Sequence, residues 1–138
     1  MSLLIYSWLS KLFIACLLCL TSLSAGAETR IAILDFELKD LTLLPRTTAE
    51  IERTASIKPL LETELKKADY VIIHIPLIDQ NNASGGVGYL FDHDDIAASL
   101  AQQFGAEYVL VGRLHKPSFL FAYLMGHLIR VSDAKLIG

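Results

Sequence analysis

The stretch that decides the fold is Asp94–Leu114, DDIAASLAQQFGAEYVLVGRL. Its first half repeats large apolar side chains at the four-residue spacing of one helix face: Ile96, Leu100 and Phe104. Gly105 is the expected C-terminal cap, because glycine readily adopts the left-handed backbone that ends many helices. The residues from 107 to 115 are mostly apolar or β-branched, which predicts a strand. The stretch therefore predicts a helix that turns directly into a strand.

Upstream of this stretch, the sequence predicts two more strands and one more helical region. RIAILDF (30–36) and DYVIIHIP (69–76) have the apolar, β-branched composition of buried strands, and residues 37–46 read as a loop. Thr47 and Glu50 have capping-box spacing, so a helix is expected to begin there. Pro59 lies inside the helical pattern and predicts a break near residues 56–58. The second helical piece would face the core through four residues: Leu60, Leu61, Leu65 and Ala68.

The remaining segments complete the predicted topology. Residues 77–91 contain the glycine-rich NNASGGVG and are expected to form a long irregular loop on the surface. Residues 118–131, SFLFAYLMGHLIRV, are expected to be one long strand or a strand with a kink at Gly126. The element order is then β-α-β-α-β-β. This order predicts an α/β (α+β) fold with a mixed sheet and two main helices on one face of it.

The N-terminal segment, residues 1–27, has the pattern of a secretory signal peptide. It carries Lys11 near its start, continues with an apolar run and ends in Ala25-Gly26-Ala27. Cleavage after Ala27 is expected, which makes the protein periplasmic or secreted. The alternative is a retained signal-anchor helix, since about 20 apolar residues can span a bilayer. Lipidation of Cys16 is a further alternative, although the residues before it do not form a regular lipobox.

Residues 28–138 form the expected mature chain, and they have the length of one domain. Both cysteines, Cys16 and Cys19, precede them, so no disulfide, thiol catalysis or cysteine metal ligand is expected there. All 15 acidic residues and every basic residue except Lys11 lie in this part. The mature chain therefore carries a small net negative charge, which gives no electrostatic indication of nucleic-acid binding.

The acidic segment before the central helix has two interpretations. A metal site would use His93 and Asp95 with a ligand from elsewhere, such as Asp79. However, adjacent residues on a helix point about 100° apart, so neighbours cannot converge as residues at i and i+4 do. The simpler interpretation is that Asp92 or His93 caps the helix. The negative charges of Asp94 and Asp95 would then interact favourably with the positive end of the helix dipole.

Asp35 is the other polar candidate, because it follows the first strand at the edge where α/β sheets hold ligands. A turn or helix-terminus hydrogen bond is the simpler role for it. His74, His115 and His127 are each isolated in strand sequence and have no partner at metal-ligand spacing. No motif for nucleotide binding, serine hydrolysis or zinc binding is present, so neither a cofactor nor a catalytic residue is expected.

Three blocks carry a resemblance to a known family: IAILDF (31–36), the stretch 94–114, and HLIRVSDAK (127–135). Together they resemble the periplasmic α/β domain at the N-terminus of TolB, which also occurs in CsgG and in lipoprotein activators of penicillin-binding proteins. The resemblance covers residues 30–135. In the family a turn of the form V-x-D leads into a final strand, whereas this chain stops at Gly138. Either that strand is missing, which leaves an open sheet edge, or the chain is truncated.

The resemblance implies a scaffold that contacts other envelope proteins and has no catalytic residue to carry over. The first functional hypothesis is thus a non-enzymatic accessory module that uses a sheet edge or the aromatic residues Phe119, Phe121 and Tyr123. The second hypothesis is a small-ligand or metal-binding protein that uses Asp35 and the loop at residues 79–95. Membrane contact is expected only through an uncleaved signal segment.

Overall fold

The computed structural model of the protein describes residues 28–138, so the expected signal segment lies outside the described residues. Six strands and four helices follow one another along this part of the chain. The elements are β1 (Arg30–Ile33), β2 (Glu37–Asp40), α1 (Thr48–Lys67), β3 (Val71–Ile73), α2 (Leu77–Ala83), α3 (Tyr89–Asp92), α4 (Asp94–Gln103), β4 (Tyr108–Lys116), β5 (Tyr123–Arg130) and β6 (Lys135–Leu136). No helix in this range is both long and apolar enough to cross a bilayer.

The strands form one mixed sheet in the order β3-β1-β4-β5-β6, which confirms the predicted α/β class. β1 is parallel to both β3 and β4, whereas β5 is antiparallel to β4 and to β6. β2 pairs in parallel with the C-terminal half of β4, at residues 113–116. β4 is therefore the central strand, with β1 and β2 sharing one of its edges and β5 occupying the other.

The central stretch folds as the sequence predicts. α4 packs on β4 and β5 through buried residues that alternate with exposed ones along the helix: Ala97, Ala98, Leu100 and Ala101. Gly105 has a φ of 78°, the left-handed conformation expected of a glycine that ends a helix. The chain then enters β4, where Val109 and Val111 point into the same core. Short-range periodicity suffices here because the helix and the strand bury one face each.

The opposite face of the sheet is partly covered by α1, so the prediction that both main helices lie on one face is wrong. α1 packs on β1, β2 and β3, where Ile31, Ile33 and Leu38 are buried. By strand alternation, Leu110 and Leu128 lie on the same face as Ile33, since these three residues are register partners. The β4–β5 part of this face is less covered, although Glu50 of α1 pairs with Lys116 at the end of β4. Leu124 there is 60% exposed.

The break predicted at Pro59 is absent, because α1 runs without interruption from Thr48 to Lys67. Pro59 cannot donate a hydrogen bond to the carbonyl of Ala55, but both residues are exposed, so water can satisfy that carbonyl. The predicted inward face is also wrong in part, since Leu60 is 64% exposed. Thr54 and Lys58 are the buried residues of this helix. The predicted capping box of Thr47 and Glu50 is confirmed.

Four predicted segments have different bounds in the structure. The first strand ends at Ile33, earlier than predicted, and the backbone N–H of Asp35 donates to the Gln80 side chain. β2 occupies Glu37–Asp40, so the prediction that residues 37–46 form a loop is wrong for its first part. Residues 77–91 are not one irregular loop, since α2 and α3 flank the glycine-rich turn. The last long strand begins at Tyr123, after a turn in which Ser118 Oγ accepts from the N–H of Leu120. β5 then runs through Gly126 to Arg130, so no break interrupts the strand there.

The expected turn after β5 is present, and it leads into a short final strand. Arg130 pairs with Asp133 at 3.0 Å, and Ala134 adopts a left-handed φ of 53° within the turn. β6 has two residues and pairs with Ile129 and Arg130. The possibility that the final strand is missing is thus wrong, because β6 is present. The edge of β5 before Leu128 stays open among the described residues.

Candidate functional site

The acidic segment before α4 does not gather its side chains into one site. Asp92 Oδ1 lies 3.2 Å from Arg113 Nη1 on β4. Asp94 Oδ1 lies 3.0 Å from His127 Nδ1 on β5. His93 Nδ1 contacts a backbone oxygen one turn earlier at 2.8 Å. The consecutive residues therefore point apart, as expected for neighbours on a helix.

The capping interpretation is correct about where the helix begins and about the acidic residues in its first turn, but the predicted cap hydrogen bond is absent. α4 begins at Asp94, with His93 at the N-cap position and Asp94 and Asp95 in the first turn. No side chain donates or accepts a cap hydrogen bond. The carboxylates of Asp92 and Asp94 instead reach basic side chains of the sheet. They fasten the start of the helix to β4 and β5.

A stack of three side chains reinforces this attachment. The Arg113 guanidinium lies 3.9 Å from the centre of the Phe91 ring. The Phe91 and His127 rings have centroids 4.0 Å apart. Phe91 is 3% exposed, so the cation–π contact with Arg113 is largely shielded from water. This segment resembled a reactive site in the sequence. In the structure it holds α3 and α4 against the sheet.

The structure does not bring the three metal-ligand candidates together. Asp79 lies in the first turn of α2, whereas His93 and Asp95 lie at the start of α4. Among residues 28–138, no three His, Cys, Asp or Glu side chains are grouped to hold a metal ion. The predicted metal site at His93, Asp95 and Asp79 is therefore not assembled within residues 28–138.

Asp35 belongs to a hydrogen-bonded clamp between β1, α1 and α2. Its Oδ2 accepts from Lys58 Nζ at 2.9 Å and from Gln80 Nε2 at 2.7 Å. Gln80 Nε2 also donates to the carbonyl of Ile75 at 2.8 Å, and Gln80 Oε1 accepts from the backbone N–H of Asp35 at 2.9 Å. Both Lys58 and Gln80 are buried, so the clamp satisfies polar groups that water cannot reach. The simpler role predicted for Asp35 was a turn or helix-terminus hydrogen bond, whereas its carboxylate instead accepts from buried side chains of α1 and α2.

A small cavity of about 160 Å³ lies beside this clamp. Asp35 and Gln80 line it together with apolar residues, among them Phe36, Leu90 and Phe91. Sites for small organic ligands usually measure about 300 to 1,000 Å³. The Asp35 Oδ2 atom is already engaged by two donors. This cavity is thus a weak candidate for the ligand site of the second hypothesis.

Another feature is a group of exposed apolar residues that we call the apolar end of the sheet. It combines the loop after β2 with the loop between β4 and β5, and these loops meet because the N–H of Leu41 donates to the carbonyl of Lys116 at 3.0 Å. Four of its side chains are more than half exposed, at 68% for Phe119, 84% for Leu120, 59% for Phe121 and 53% for Tyr123. The neighbouring loop adds three more apolar residues: Leu41, Leu43 and Leu44.

A charged cluster forms the base of the apolar end. Lys116 Nζ pairs with Glu50 and lies 3.6 Å from Asp40 Oδ2. The hydrogen bond from Lys116, with a further one from the Thr47 backbone, lowers the pKa of Glu50 from 4.5 to about 2. Hydrogen bonds from the Thr42 side chain and backbone lower the pKa of Asp40. The cluster holds α1 against β2 and β4.

A groove of about 290 Å³ opens above this cluster. It lies between the start of α1 and the loop that follows β4, and it is lined by Leu38, Leu114 and the segment 119–122. The groove and the exposed aromatic side chains form one continuous surface. Ion pairs fix its floor, so the surface has a rigid base and apolar walls. This arrangement suits the binding of an apolar side chain from a partner.

Sequence reasoning identified the aromatic residues but missed most of their surroundings. Phe119, Phe121 and Tyr123 were expected as contacts, whereas the loop at 41–44 was not. No local signal places that loop beside them, because the two segments are about 75 positions apart and meet only through the pairing of β2 with β4. The clamp residues Lys58 and Gln80 were missed for the same reason.

Three solved structures are similar to this chain. The C-terminal domain of LpoB from Salmonella enterica is 16% identical, with a TM-score of 0.53 over 83% of this chain and 82% of that chain. E. coli LpoB is 15% identical, with a TM-score of 0.54 over 82% of this chain and 55% of that chain. Lipoprotein GNA1162 from Neisseria meningitidis is 12% identical, with a TM-score of 0.54 over 80% and 75%. At these identities the similarity shows a shared fold alone.

No curated protein matches the sequence. The relationship to TolB and CsgG stays a prediction, whereas the α/β fold that it implied is confirmed. A family model matches residues 29–137, which is almost the whole described part of the chain. The chain therefore belongs to the family DUF3280, whose description is "Protein of unknown function (DUF2380)".

Proposed function

We propose that this protein is a non-enzymatic accessory module of the bacterial cell envelope, which binds another envelope protein through the apolar end of the sheet. The observation that carries the proposal is the exposure of Phe119, Leu120, Phe121 and Tyr123 beside a groove with a rigid charged floor. A mature chain that starts at Glu28, as one domain in the periplasm or outside the cell, is part of the same proposal.

Single exposed apolar residues are common on soluble proteins. Large contiguous apolar patches are rare, and they usually mark binding surfaces. Aromatic side chains are enriched among the residues that contribute most to interface affinity. Phe119 and Phe121 lie two positions apart in one short loop, and the loop at 41–44 enlarges the patch. A partner that presents an apolar side chain to the groove fits this surface best.

The polar groups of the domain support a binding role over a catalytic one. Several ionisable side chains near the predicted sites are paired within the fold: Asp35 with Lys58, Asp92 with Arg113, and Asp94 with His127. Each pair joins a helix to the sheet or one helix to a strand end. The similarity in fold to LpoB and to a lipoprotein also favours an envelope role, in line with the resemblance implied by the sequence.

Site-specific photo-crosslinking in living cells would test the proposal. A photoreactive phenylalanine analogue is placed at Phe121 in the full chain, and the matched control carries it at Ile78, which is similarly exposed but lies on α2. The expected result is a crosslinked envelope protein from position 121 that is absent from position 78. Replacing Phe119 by Ser should weaken this crosslink. Equal crosslinking from both positions, or none from position 121, would refute the proposed surface.

The alternative of a small-ligand or metal-binding protein makes a different prediction. A metal ion or metabolite bound near Asp79 and His93 should raise the melting temperature of the purified protein. The His93→Ala and Asp95→Ala variants should abolish that increase and leave the crosslink from position 121 unchanged. The two functions are therefore distinguishable in the same set of variants.

A further inference from the structure

The loop that follows β2 projects three leucines into solvent. We call it the leucine loop, and it contains Leu41, Thr42, Leu43 and Leu44. Leu43 is 100% exposed, and Leu41 and Leu44 are 54% and 55% exposed. None of these residues lines the groove beside the segment 119–122. The leucine loop is therefore an apolar surface separate from the groove of the proposed function.

The backbone of Leu43 has an uncommon conformation. Its φ of 61° lies in the left-handed region, where large side chains are rarely found. Glycine or asparagine adopts this conformation at lower cost. Because Leu43 is fully exposed, packing within residues 28–138 does not explain why a leucine occupies the position. Strained positions of this kind cluster at functional sites, so the leucine points to a contact with something outside the described residues.

Hydrogen bonds hold the base of the leucine loop and leave its tip apolar. The backbone N–H and the hydroxyl of Thr42 donate to Asp40 Oδ1 at 2.9 and 2.6 Å. The N–H of Leu41 donates to the carbonyl of Lys116 at 3.0 Å. Only two N–H groups of the leucine loop lack a hydrogen bond among residues 28–138. Unpaired backbone groups are costly in an apolar medium, so this loop can leave water with little loss of hydrogen bonding.

The charges on either side of the leucine loop favour an anionic surface. Lys39 and Arg46 flank the loop in the sequence, and neither forms an ion pair among residues 28–138. The acidic residue of the same segment is Asp40, whose side chain is only 4% exposed and lies 3.6 Å from Lys116 Nζ. The charge that this segment presents to solvent is therefore positive.

We propose that the leucine loop inserts into the surface of an anionic lipid bilayer. Segments that lie in the membrane interface bury leucine and aromatic side chains and keep lysine and arginine beside them, to a depth of about 5 to 10 Å. Leucine is under-represented among the residues that contribute most to protein interfaces, whereas aromatic residues are enriched there. The composition thus assigns the lipid surface to the leucine loop and the protein partner to the groove with aromatic walls.

The inference goes beyond the proposed function, which concerns a protein partner alone. The leucine loop and the loop after β4 meet at the hydrogen bond between Leu41 and Lys116. Insertion of the leucine loop therefore places the groove close to the bilayer surface. A partner that is itself held at the membrane would meet the groove there.

A single tryptophan at the tip of the loop would report insertion. The sequence contains one tryptophan, Trp8, so the full chain carrying Trp8→Phe and Leu43→Trp has its only tryptophan in the leucine loop. The matched control carries Trp8→Phe and Leu60→Trp, because Leu60 is 64% exposed and lies ten residues along α1 from Glu50, about 15 Å away. Vesicles of phosphatidylethanolamine and phosphatidylglycerol with brominated acyl chains should quench the fluorescence of position 43 and leave that of position 60 unchanged.

Substitutions in the reporter protein separate the apolar contribution from the electrostatic one. Leu44→Asp should raise the lipid concentration for half-maximal quenching by about tenfold or more, because it removes an apolar side chain from the interface. Leu60→Asp, the matched control, should leave it unchanged. Arg46→Gln should raise it about fivefold with these anionic vesicles and should have no effect with brominated phosphatidylcholine alone. Absent quenching at position 43, equal quenching at positions 43 and 60, or no effect of Leu44→Asp would each overturn the proposal, and an unchanged Arg46→Gln would overturn the anionic preference.

Failure of this inference and failure of the proposed function have different signatures. A protein that gives a crosslinked envelope protein from position 121 but shows no quenching at position 43 would reject the membrane contact alone. Quenching at position 43 without any crosslinked product from position 121 would reject the partner surface alone. A photoreactive analogue at position 43 that crosslinks to an envelope protein, in a chain that lipid does not quench, would assign the leucine loop to the protein partner instead.

Discussion

Two glycines that face each other in the sheet should respond in opposite ways to the same substitution. Gly112 on β4 and Gly126 on β5 are direct register partners. A methyl group at Gly112 would lie within 3.0 Å of three carbon atoms of the Phe36 ring. A methyl group at Gly126 would come no closer than 3.5 Å to any neighbour. Gly112→Ala therefore forces Phe36 to move, whereas Gly126→Ala does not.

The magnitudes follow from packing and from chain entropy. Overpacking typically costs about 1 to 3 kcal/mol. Replacing glycine by alanine at an unstrained position gains about 0.4 to 1 kcal/mol, because the unfolded chain becomes less flexible. Gly112→Ala should thus lower the free energy of unfolding by about 1 to 2 kcal/mol. Gly126→Ala should leave it unchanged or raise it slightly. For a domain of this size, 1 kcal/mol changes the melting temperature by about 4 °C.

Guanidinium unfolding at a low, fixed protein concentration would measure both variants. The Phe36→Ala background supplies the decisive control, because it removes the ring that the new methyl group would meet. The cost of Gly112→Ala should fall to near zero in that background, which gives a coupling energy of about 1 to 2 kcal/mol. If Gly112→Ala costs the same with and without the Phe36 ring, the steric explanation is wrong.

Two further predictions concern buried and charged groups. Gln80→Leu should cost about 2 to 3 kcal/mol, since it leaves buried backbone groups without partners, whereas the exposed Gln102→Leu should change stability by less than about 0.5 kcal/mol. Glu50 has a pKa lowered to about 2, so its ionised form contributes stability that is complete above pH 4.5 and is lost as the pH falls toward 2. Glu50→Gln should therefore flatten the loss of stability between pH 4.5 and 2, as followed by thermal unfolding. Glu52→Gln, on an exposed position of the same helix, should keep the wild-type slope, and an unchanged slope in Glu50→Gln would contradict the role of the ion pair with Lys116.

Local sequence patterns predicted the elements whose stability depends on near neighbours. The helix and strand of the stretch 94–114 were correct, since Gly105 and the apolar periodicity act within a few residues. The capping box of Thr47 and Glu50 was also correct. By contrast, the break predicted at Pro59 was wrong. The destabilisation caused by a proline inside a helix depends on whether the carbonyl that loses its hydrogen bond can bond to water. Only the position of α1 on the sheet decides that exposure.

The candidate site was predicted only in part. The aromatic residues Phe119, Phe121 and Tyr123 stood out by composition, and the structure places them on the surface. His93 and its acidic neighbours stood out as well, but the fold uses Asp92 and Asp94 to attach α4 to the sheet. Long-range packing decides whether the aromatic segment or the acidic segment stays exposed. The spacing of residues within either segment does not predict this outcome.

The sequence by itself determined the class of the fold, the order of its main elements and the absence of known catalytic motifs. These properties depend on short-range periodicity, on glycine and on capping residues. Only the tertiary structure decided that β2 pairs with β4 and that Gln80 and Lys58 close around Asp35. Each of these features joins segments far apart in the chain, and chain closure and packing select them together. The exposed surfaces, and with them the proposed partners, are therefore a property of the fold as a whole.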